Sequence, residues 1–100
     1  MPKTTFQSLI EGPKPVLIDF HAEWCGPCKS MSPVIKDIAG KYSGKARVIK
    51  IDIDKNPEIA NQYQVRGVPT FMIFKEGKMV WRESGAIPAG MITKALDQFS

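Results

Sequence analysis

Residues 16–29 read VLIDFHAEWCGPCK and place two cysteines shortly after an apolar run. Residues 16–20 have the composition of a buried strand, although Asp19 interrupts the run with an acid. From about residue 28 to residue 42, apolar side chains recur at helical spacing on one face. The cysteines therefore lie between a buried strand and a helix. In open α/β sheets, functional groups collect at this carboxyl end of a strand.

The rest of the chain divides into short elements of both kinds. We predict a first helix over residues 6–11, capped by Thr4 or Thr5, and a helix from Asn56-Pro57 to about residue 63. Further strands are predicted over residues 46–52, 70–75 and 79–83. A last helix is predicted over residues 88–99, with five side chains toward the core: Met91, Ile92, Ala95, Leu96 and Phe99. A helix between the first two strands makes them parallel, and the turn Glu76-Gly77 makes the last two antiparallel. The predicted fold is α/β, a mixed four-stranded sheet with about four helices on its two faces.

Composition and charge indicate an ordinary globular protein. One hundred residues suit a single domain, residues 1–100, and 43% hydrophobic with 24% charged residues argues against disorder. The net charge of +4 is spread along the chain from Lys3 to Lys94 among acids, with no nucleic-acid motif, so we expect no nucleic-acid partner. No signal-peptide stretch opens the sequence and no run reaches membrane-spanning length. We expect a cytoplasmic monomer that does not bind a membrane.

The two cysteines, three positions apart, have the spacing of a redox pair. A disulfide reductant needs an attacking thiolate and a second thiol that releases the mixed disulfide. At a helix start, free backbone amides and the helix dipole favour a thiolate, so we expect Cys25 to be exposed and to attack. Cys28, one turn further, is expected to be the more buried and to resolve the intermediate. Gly26 permits a tight turn, and Pro27 suits the first helical turn.

A metal site is the main alternative for such a pair. It needs about four ligands, whereas the chain offers two cysteines and one histidine, His21. A zinc or iron–sulfur site shared between two chains stays open, and so does a purely structural disulfide, although closing so short a loop stabilises little. We predict redox chemistry, with no metal and no bound cofactor.

Residues 16–29 resemble the active-site strand and loop of the thioredoxin family. The segment RGVPT, residues 66–70, resembles that family's loop with a cis proline facing the cysteines, and IDIDKNP at 51–57 and FKEG at 74–77 match in order and spacing. The similarity runs from about Phe6 to the C terminus. It implies a thioredoxin fold and a protein-disulfide reductase and electron carrier, recycled by a flavin-containing thioredoxin reductase. The Gly-Pro between the cysteines resembles the reducing members.

The resemblance also implies roles for two charged residues. Burial of Asp19 raises its pKa, and the family's matching acid accepts the proton of the residue corresponding to Cys28, usually through a water. The alternative is an acid at a strand edge that faces solvent. Lys50 matches a family lysine beside that acid, although a lysine in a strand more often points to water.

A substrate-binding surface is implied around the cysteines. The resemblance makes the Val68–Pro69 bond cis, which would turn the backbone of Val68 toward Cys25 to pair with an extended substrate segment. The exposed apolar platform would comprise Trp24, Gly26, Pro27, Gly67, Val68, Gly85 and Ala86. Pro69, whose ring would stand against the sulfurs, is also expected to be a substrate-binding residue. The alternatives are an ordinary turn before a strand and a tryptophan that only packs. Trp81, distant in sequence, is interpreted as core or surface filler.

Two features depart from the family pattern. His21 occupies a position where the family usually has an aromatic residue. It could titrate near the cysteines and tune them, or it could simply pack or meet solvent. Only about five residues precede the first helix. We therefore expect the family's usual N-terminal strand to be absent or vestigial, which would leave the strand at 16–20 nearer the sheet edge.

Two rival functions stay open on the sequence alone. The first is a disulfide oxidase or isomerase on the same fold, which a glutathione equilibrium would distinguish from a reductant. The second is a binding module that uses the fold as a scaffold and would act without its cysteines.

Overall fold

Helices and strands alternate along residues 5–100, the part of the chain that the computed structural model describes. The elements are α1 (Phe6–Ile10), β1 (Val16–His21), α2 (Gly26–Lys41), β2 (Arg47–Asp52), α3 (Pro57–Gln62), β3 (Thr70–Lys75), β4 (Lys78–Ser84) and α4 (Ala89–Gln98). Their order and types agree with the prediction from the sequence. The bounds of β3 coincide with the predicted residues, and the other bounds differ by one or two positions.

The strands form one mixed sheet in the order β2-β1-β3-β4. β1 and β2 are parallel, whereas β3 is antiparallel to both β1 and β4, so the predicted mixed four-stranded sheet is confirmed. β1 lies second in this order, and β2 forms the edge beside it. We expect no more than a vestigial strand before α1. Residues 1–4, on which this expectation depends, lie outside the described part of the chain.

Strand β1 separates two hydrophobic clusters. Leu17 packs with residues of α2 and α4 on one face of the sheet. Ile18 and Phe20 pack on the opposite face with Ile10 of α1. Because successive side chains of a strand point to opposite faces, Asp19 and His21 share the face of Leu17 and project toward α2.

Helix α2 begins two residues earlier than predicted. Cys25 is its N-cap residue, and the backbone N–H of Cys28 donates a hydrogen bond to the Cys25 Sγ. Pro27 lies in the first turn, where a missing N–H costs no helical hydrogen bond. Both cysteines therefore belong to the start of one rigid helix that packs on the sheet.

The prediction that Met91 faces the core is wrong. Its side chain is 43% exposed, while Ile92, Ala95 and Leu96 of the same helix are buried. The buried residues follow the spacing i, i+3, i+4, and Met91 precedes this stripe by one position, which turns it about 100° away. Within residues 5–100, no helix is both long enough and apolar enough to cross a membrane.

Candidate active site

Cys25 and Cys28 form a disulfide bond at the start of α2, with their Cα atoms 5.3 Å apart. The backbone N–H of Cys25 donates to the Ala22 carbonyl over 3.2 Å, which fixes the turn between β1 and the helix. The strand, the turn and the helix N-terminus together bring the two sulfurs into bonding distance. The separation of the two Cα atoms lies within the usual range for a disulfide.

The predicted difference in burial between the cysteines is wrong. Cys25 is 3% exposed and Cys28 is 9% exposed, so neither side chain is open to solvent in the disulfide form. The physical reason is the packing around the pair, since Ala22 lies beneath it and Val68 and Ile53 contact the same cluster. Exposure alone therefore does not distinguish an attacking sulfur from a resolving one.

Electrostatics distinguishes the two sulfurs instead. The Cys28 N–H lies 3.1 Å from the Cys25 Sγ and donates to it, as a side-chain N-cap does. This sulfur also lies at the positive end of the 16-residue helix α2. Negative charge is therefore better stabilised on Cys25 than on Cys28, which is already inside the first turn.

Asp19 lies beneath the cysteine pair in a small cleft. The cleft has a volume of about 130 Å³. It is lined by Asp19, His21, Ala22, Glu23, Cys28, Lys29, Ser32 and Lys50. Asp19 is 4% exposed, so the alternative of a solvent-facing acid is wrong. Burial raises the pKa of the Asp19 carboxyl, and the charges of His21 and Lys50 act in the opposite direction.

Lys50 lies beside Asp19 and also points to solvent, so both interpretations of this lysine hold. It is the register partner of Asp19 on the neighbouring parallel strand and lines the same cleft. Its side chain is nevertheless exposed, and its ammonium donates to the Ser32 hydroxyl over 3.3 Å. Lys50 is thus a solvated cation that faces a buried carboxylate.

The loop before β3 covers the cysteine pair from the other side. The Val68–Pro69 peptide bond is cis, as the resemblance implied, and the Val68 carbonyl oxygen lies 3.5 Å from the Cys25 Sγ. The backbone N–H of Gly85 donates to the Pro69 carbonyl over 2.8 Å and brings the β4–α4 loop to the same place. The structure therefore brings the segments around residues 25, 68 and 85 together.

The exposed part of the predicted platform surrounds this point. Gly26, Pro27, Gly67 and Ala86 are exposed, while Gly85 and Val68 are half-buried and Pro69 is buried. Trp24 is 67% exposed, so it does not serve as a packing residue. Trp81, in contrast, is half-buried and packs against the core cluster of α2 and α4, as expected for a filler residue.

Sequence reasoning missed Asp54 as a neighbour of the site. The indole N–H of Trp24 donates to Asp54 Oδ2 over 2.8 Å, and Lys55 pairs with Glu23 at 3.8 Å. Both contacts join the cysteine loop to the loop that follows β2. The available signal was the parallel pairing of β1 and β2, because the residues after two parallel strands meet at the same sheet edge.

His21 is half-buried and lines the cleft with Asp19 and Cys28. It therefore lies where its side chain can act on the other groups of the cleft. Among residues 5–100, no three histidine, cysteine or acidic side chains are grouped so that they could hold a metal ion.

Comparison with known proteins gives a consistent result over nearly the whole chain. The family model described as thioredoxin matches residues 1–98. The chain is 47% identical over 90 residues to a thioredoxin of Chlorobaculum thiosulfatiphilum, covering 90% of this chain and 83% of that protein. It is 45% identical over 92 residues to thioredoxin 1 of Synechococcus elongatus, covering 92% and 86%. Among solved structures, a mutant thioredoxin from Halobacterium salinarum NRC-1 superposes with a TM-score of 0.86 at 34% identity, covering 98% and 85% of the two chains.

Proposed function

This chain belongs to the thioredoxin family, whose members are protein-disulfide oxidoreductases, and we propose that it reduces disulfides in other proteins through Cys25 and Cys28. The observation that carries this assignment of roles is the hydrogen bond from the Cys28 N–H to the Cys25 Sγ at the N-terminus of α2. In the reduced protein the same N–H stabilises the Cys25 thiolate, which is the nucleophile of thiol–disulfide exchange.

In the first step, the Cys25 thiolate attacks one sulfur of a substrate disulfide. A bond forms between that sulfur and the Cys25 Sγ, the substrate S–S bond breaks, and the other substrate sulfur leaves as a thiolate that takes up a proton. The Val68 carbonyl, 3.5 Å from the Cys25 Sγ, is placed to accept a backbone N–H of an extended substrate segment. Trp24, Gly26 and Pro27 offer the exposed surface on which that segment rests.

In the second step, Cys28 loses its proton and attacks the Cys25 sulfur. The Cys25–Cys28 disulfide forms, and the second substrate sulfur leaves as a thiolate. Asp19 accepts the Cys28 proton, because both residues line one cleft and burial raises the pKa of the Asp19 carboxyl above its ordinary value. The cleft of about 130 Å³ has room for a bridging water, which occupies about 30 Å³ in the liquid. Lys50 faces Asp19 in register and offsets part of its negative charge.

The two steps move two electrons from the dithiol to the substrate. The protein ends as the Cys25–Cys28 disulfide, and an external donor of two electrons must reduce it again. We propose a thioredoxin reductase as this donor, so that the protein acts as an electron carrier. We further propose that it acts as a monomer in the cytoplasm, a reducing compartment in which the dithiol form is maintained.

The test is insulin reduction with NADPH and a thioredoxin reductase, followed by the turbidity of the released B chain. Cys25→Ala should reduce the rate to the background without protein. Cys28→Ser should also lose turnover but retain a covalent mixed disulfide with insulin, visible on a non-reducing gel. Ser43→Ala, an exposed position after α2, is the matched control and should keep the wild-type rate.

Three results would contradict the proposal. A Cys25→Ala protein as active as the wild type would exclude Cys25 as the nucleophile. Full biological activity of a Cys25→Ser, Cys28→Ser double variant would favour a scaffold role. An active-site pair that stays reduced in mildly reducing glutathione buffer would indicate an oxidase or isomerase.

A further inference from the structure

His21 is the last residue of β1 and projects into the cleft that holds Asp19. The two residues are two positions apart on one strand, so their side chains lie on the same face of the sheet. His21 is half-buried, and Asp19 and Cys28 line the same cleft of about 130 Å³. It is the single histidine of the chain. An imidazole that can change its charge thus lies beside the carboxylate assigned to the second step.

Carboxylates outnumber ammonium groups around this imidazole. Asp19 faces it from β1, Asp52 is its register partner on β2, and Glu23 approaches from the loop before α2. The cations of the same cleft are Lys50 of β2 and Lys29 of α2, both exposed to solvent. Asp52 Oδ1 already accepts the backbone N–H groups of Asp54 and Lys55, at 2.8 and 3.3 Å. The most buried acid near His21 is Asp19, which is 4% exposed.

We propose that His21 is a positioning residue whose protonation is coupled to the ionisation of Asp19: the charged imidazole holds Asp19 as a carboxylate, the form that accepts a proton. The inference rests on the proposed function, because the coupling between His21 and Asp19 affects the reaction only if Asp19 deprotonates Cys28.

Burial and nearby charge act on the ionisation of Asp19 in opposite directions. Burial favours the neutral acid, since a carboxylate loses water in the cleft, and a nearby positive charge favours the ionised acid. The charge of His21 lowers the pKa of Asp19 against the larger effect of burial. A positive charge on His21 therefore favours the carboxylate form of Asp19. Asp19 therefore stays available as a base at a lower pH than it would beside an aromatic residue.

The experiment measures the ionisation of Asp19 directly. The ¹³Cγ chemical shift of Asp19 is followed against pH by NMR in the wild type, in His21→Gln and in His21→Lys, all in the reduced form. Glutamine keeps a polar side chain without charge, whereas an exposed lysine stays charged below about pH 10. We expect the acid dissociation constant of Asp19 to fall about three- to tenfold in His21→Gln, the size expected for a partly solvated neighbouring charge, and to recover in His21→Lys.

A second measurement links this coupling to the reaction. The release of substrate from a preformed Cys25 mixed disulfide is timed between pH 5 and 8 in the same three proteins. We expect the release rate to fall at low pH, where Asp19 is protonated. In His21→Gln the midpoint of this fall should move to higher pH by the same amount as the midpoint of the Asp19 titration. Thermal unfolding of each variant checks that the fold is intact, and the imidazole resonances of the sole histidine report its own titration.

An Asp19 titration that is unchanged in His21→Gln would overturn the inference, as would a His21→Lys protein that behaves like His21→Gln. A shifted titration with an unshifted rate profile would support the coupling and contradict the role of Asp19 as base. The failure of the proposed function is thereby separated from the failure of this inference.

Discussion

The Cys28 backbone N–H donates a hydrogen bond of 3.1 Å to the Cys25 Sγ, even though Cys25 is the less exposed of the two cysteines. Burial and electrostatics therefore give opposite expectations for which sulfur reacts. Burial alone would favour Cys28, while the helix N-terminus and the donated N–H stabilise a thiolate at Cys25. The proposed mechanism depends on the electrostatic effect being the larger.

Alkylation of the reduced protein decides between these effects. We predict that iodoacetamide at pH 7 modifies Cys25 at least about tenfold faster than Cys28, because only the thiolate reacts and the helix N-terminus stabilises the thiolate of Cys25. Peptide mass spectrometry after short exposure measures the two rates. Cys28→Ser and Cys25→Ser, each with one cysteine, are the matched pair. Faster modification of Cys28 would show that the nucleophile is Cys28 and not Cys25.

Asp19→Asn should stabilise the protein at neutral pH. The folded state raises the pKa of Asp19, so it binds more protons than the unfolded chain between about pH 4 and that raised value. The free energy of unfolding consequently falls as the pH rises through this window, and the loss is complete above the window. The loss is about 1.4 kcal/mol for each tenfold difference between the acid dissociation constants of Asp19 in the folded and unfolded states. Urea unfolding at pH 4 and pH 8 measures this. The variant should gain at pH 8 and not at pH 4, whereas an equal effect at both pH values would contradict the assigned ionisation.

The same Asp19→Asn variant should slow the second chemical step. We expect the release of substrate from a Cys25 mixed disulfide to fall about tenfold at pH 7, less than the usual contribution of about 100-fold from a general base, because cleft water also accepts protons. Stopped-flow measurement of release gives the rate. The formation of the mixed disulfide should be unchanged, since Cys25 and not Cys28 reacts there. Equal slowing of both steps would indicate a general structural effect.

Asp54→Ala should weaken substrate binding without unfolding the protein. The variant frees the Trp24 indole, whose N–H donates to Asp54 Oδ2 over 2.8 Å, and the exposed side chain can then adopt other rotamers. We expect KM for insulin to rise about threefold and the free energy of unfolding to change by less than about 1 kcal/mol, the usual contribution of one hydrogen bond. Asp54→Asn keeps an acceptor and is the matched control. An unchanged KM would exclude this tryptophan from the binding surface.

Arg82→Lys should loosen the loop that carries Val68. The Arg82 guanidinium donates to the Tyr63 carbonyl over 2.6 Å and to the Gln64 carbonyl over 3.0 Å, so it holds the start of that loop against β4. A lysine cannot make this forked contact, and we expect a loss of about 1–2 kcal/mol in stability. Hydrogen exchange of residues 63–68 should rise selectively. Unchanged exchange in this segment would show that the loop is held by other contacts.

Most of the secondary structure was predictable because its causes are local. The apolar run of β1, the helical spacing of α2 and the Glu76-Gly77 turn each act within a few residues. The start of α2 was predicted two residues late because a cysteine is not a usual N-cap. Met91 was misplaced because periodicity does not define the edges of a buried stripe.

The residues by themselves predicted the candidate site only where it lies on one segment, whereas the family resemblance implied that Val68 and Gly85 approach the cysteines. Cys25, Cys28 and Asp19 are close in sequence, and their meeting follows from a strand that leads into a helix. The approach of Asp54 to Trp24 and of Gly85 to Pro69 spans long stretches of chain. Such contacts depend on strand order and loop direction, which no local pattern encodes.

The amino-acid sequence by itself determined the elements, their order and the chemistry of a cysteine pair three positions apart, because propensities and short spacings are properties of neighbouring residues. Only the tertiary structure decided how far each sulfur is buried, that Asp54 accepts the Trp24 indole N–H, and that His21 and Asp19 share one cleft with Cys28. Burial and the electrostatic environment are sums over atoms that folding collects from distant segments, and they acquire values only when the sheet and its loops are assembled.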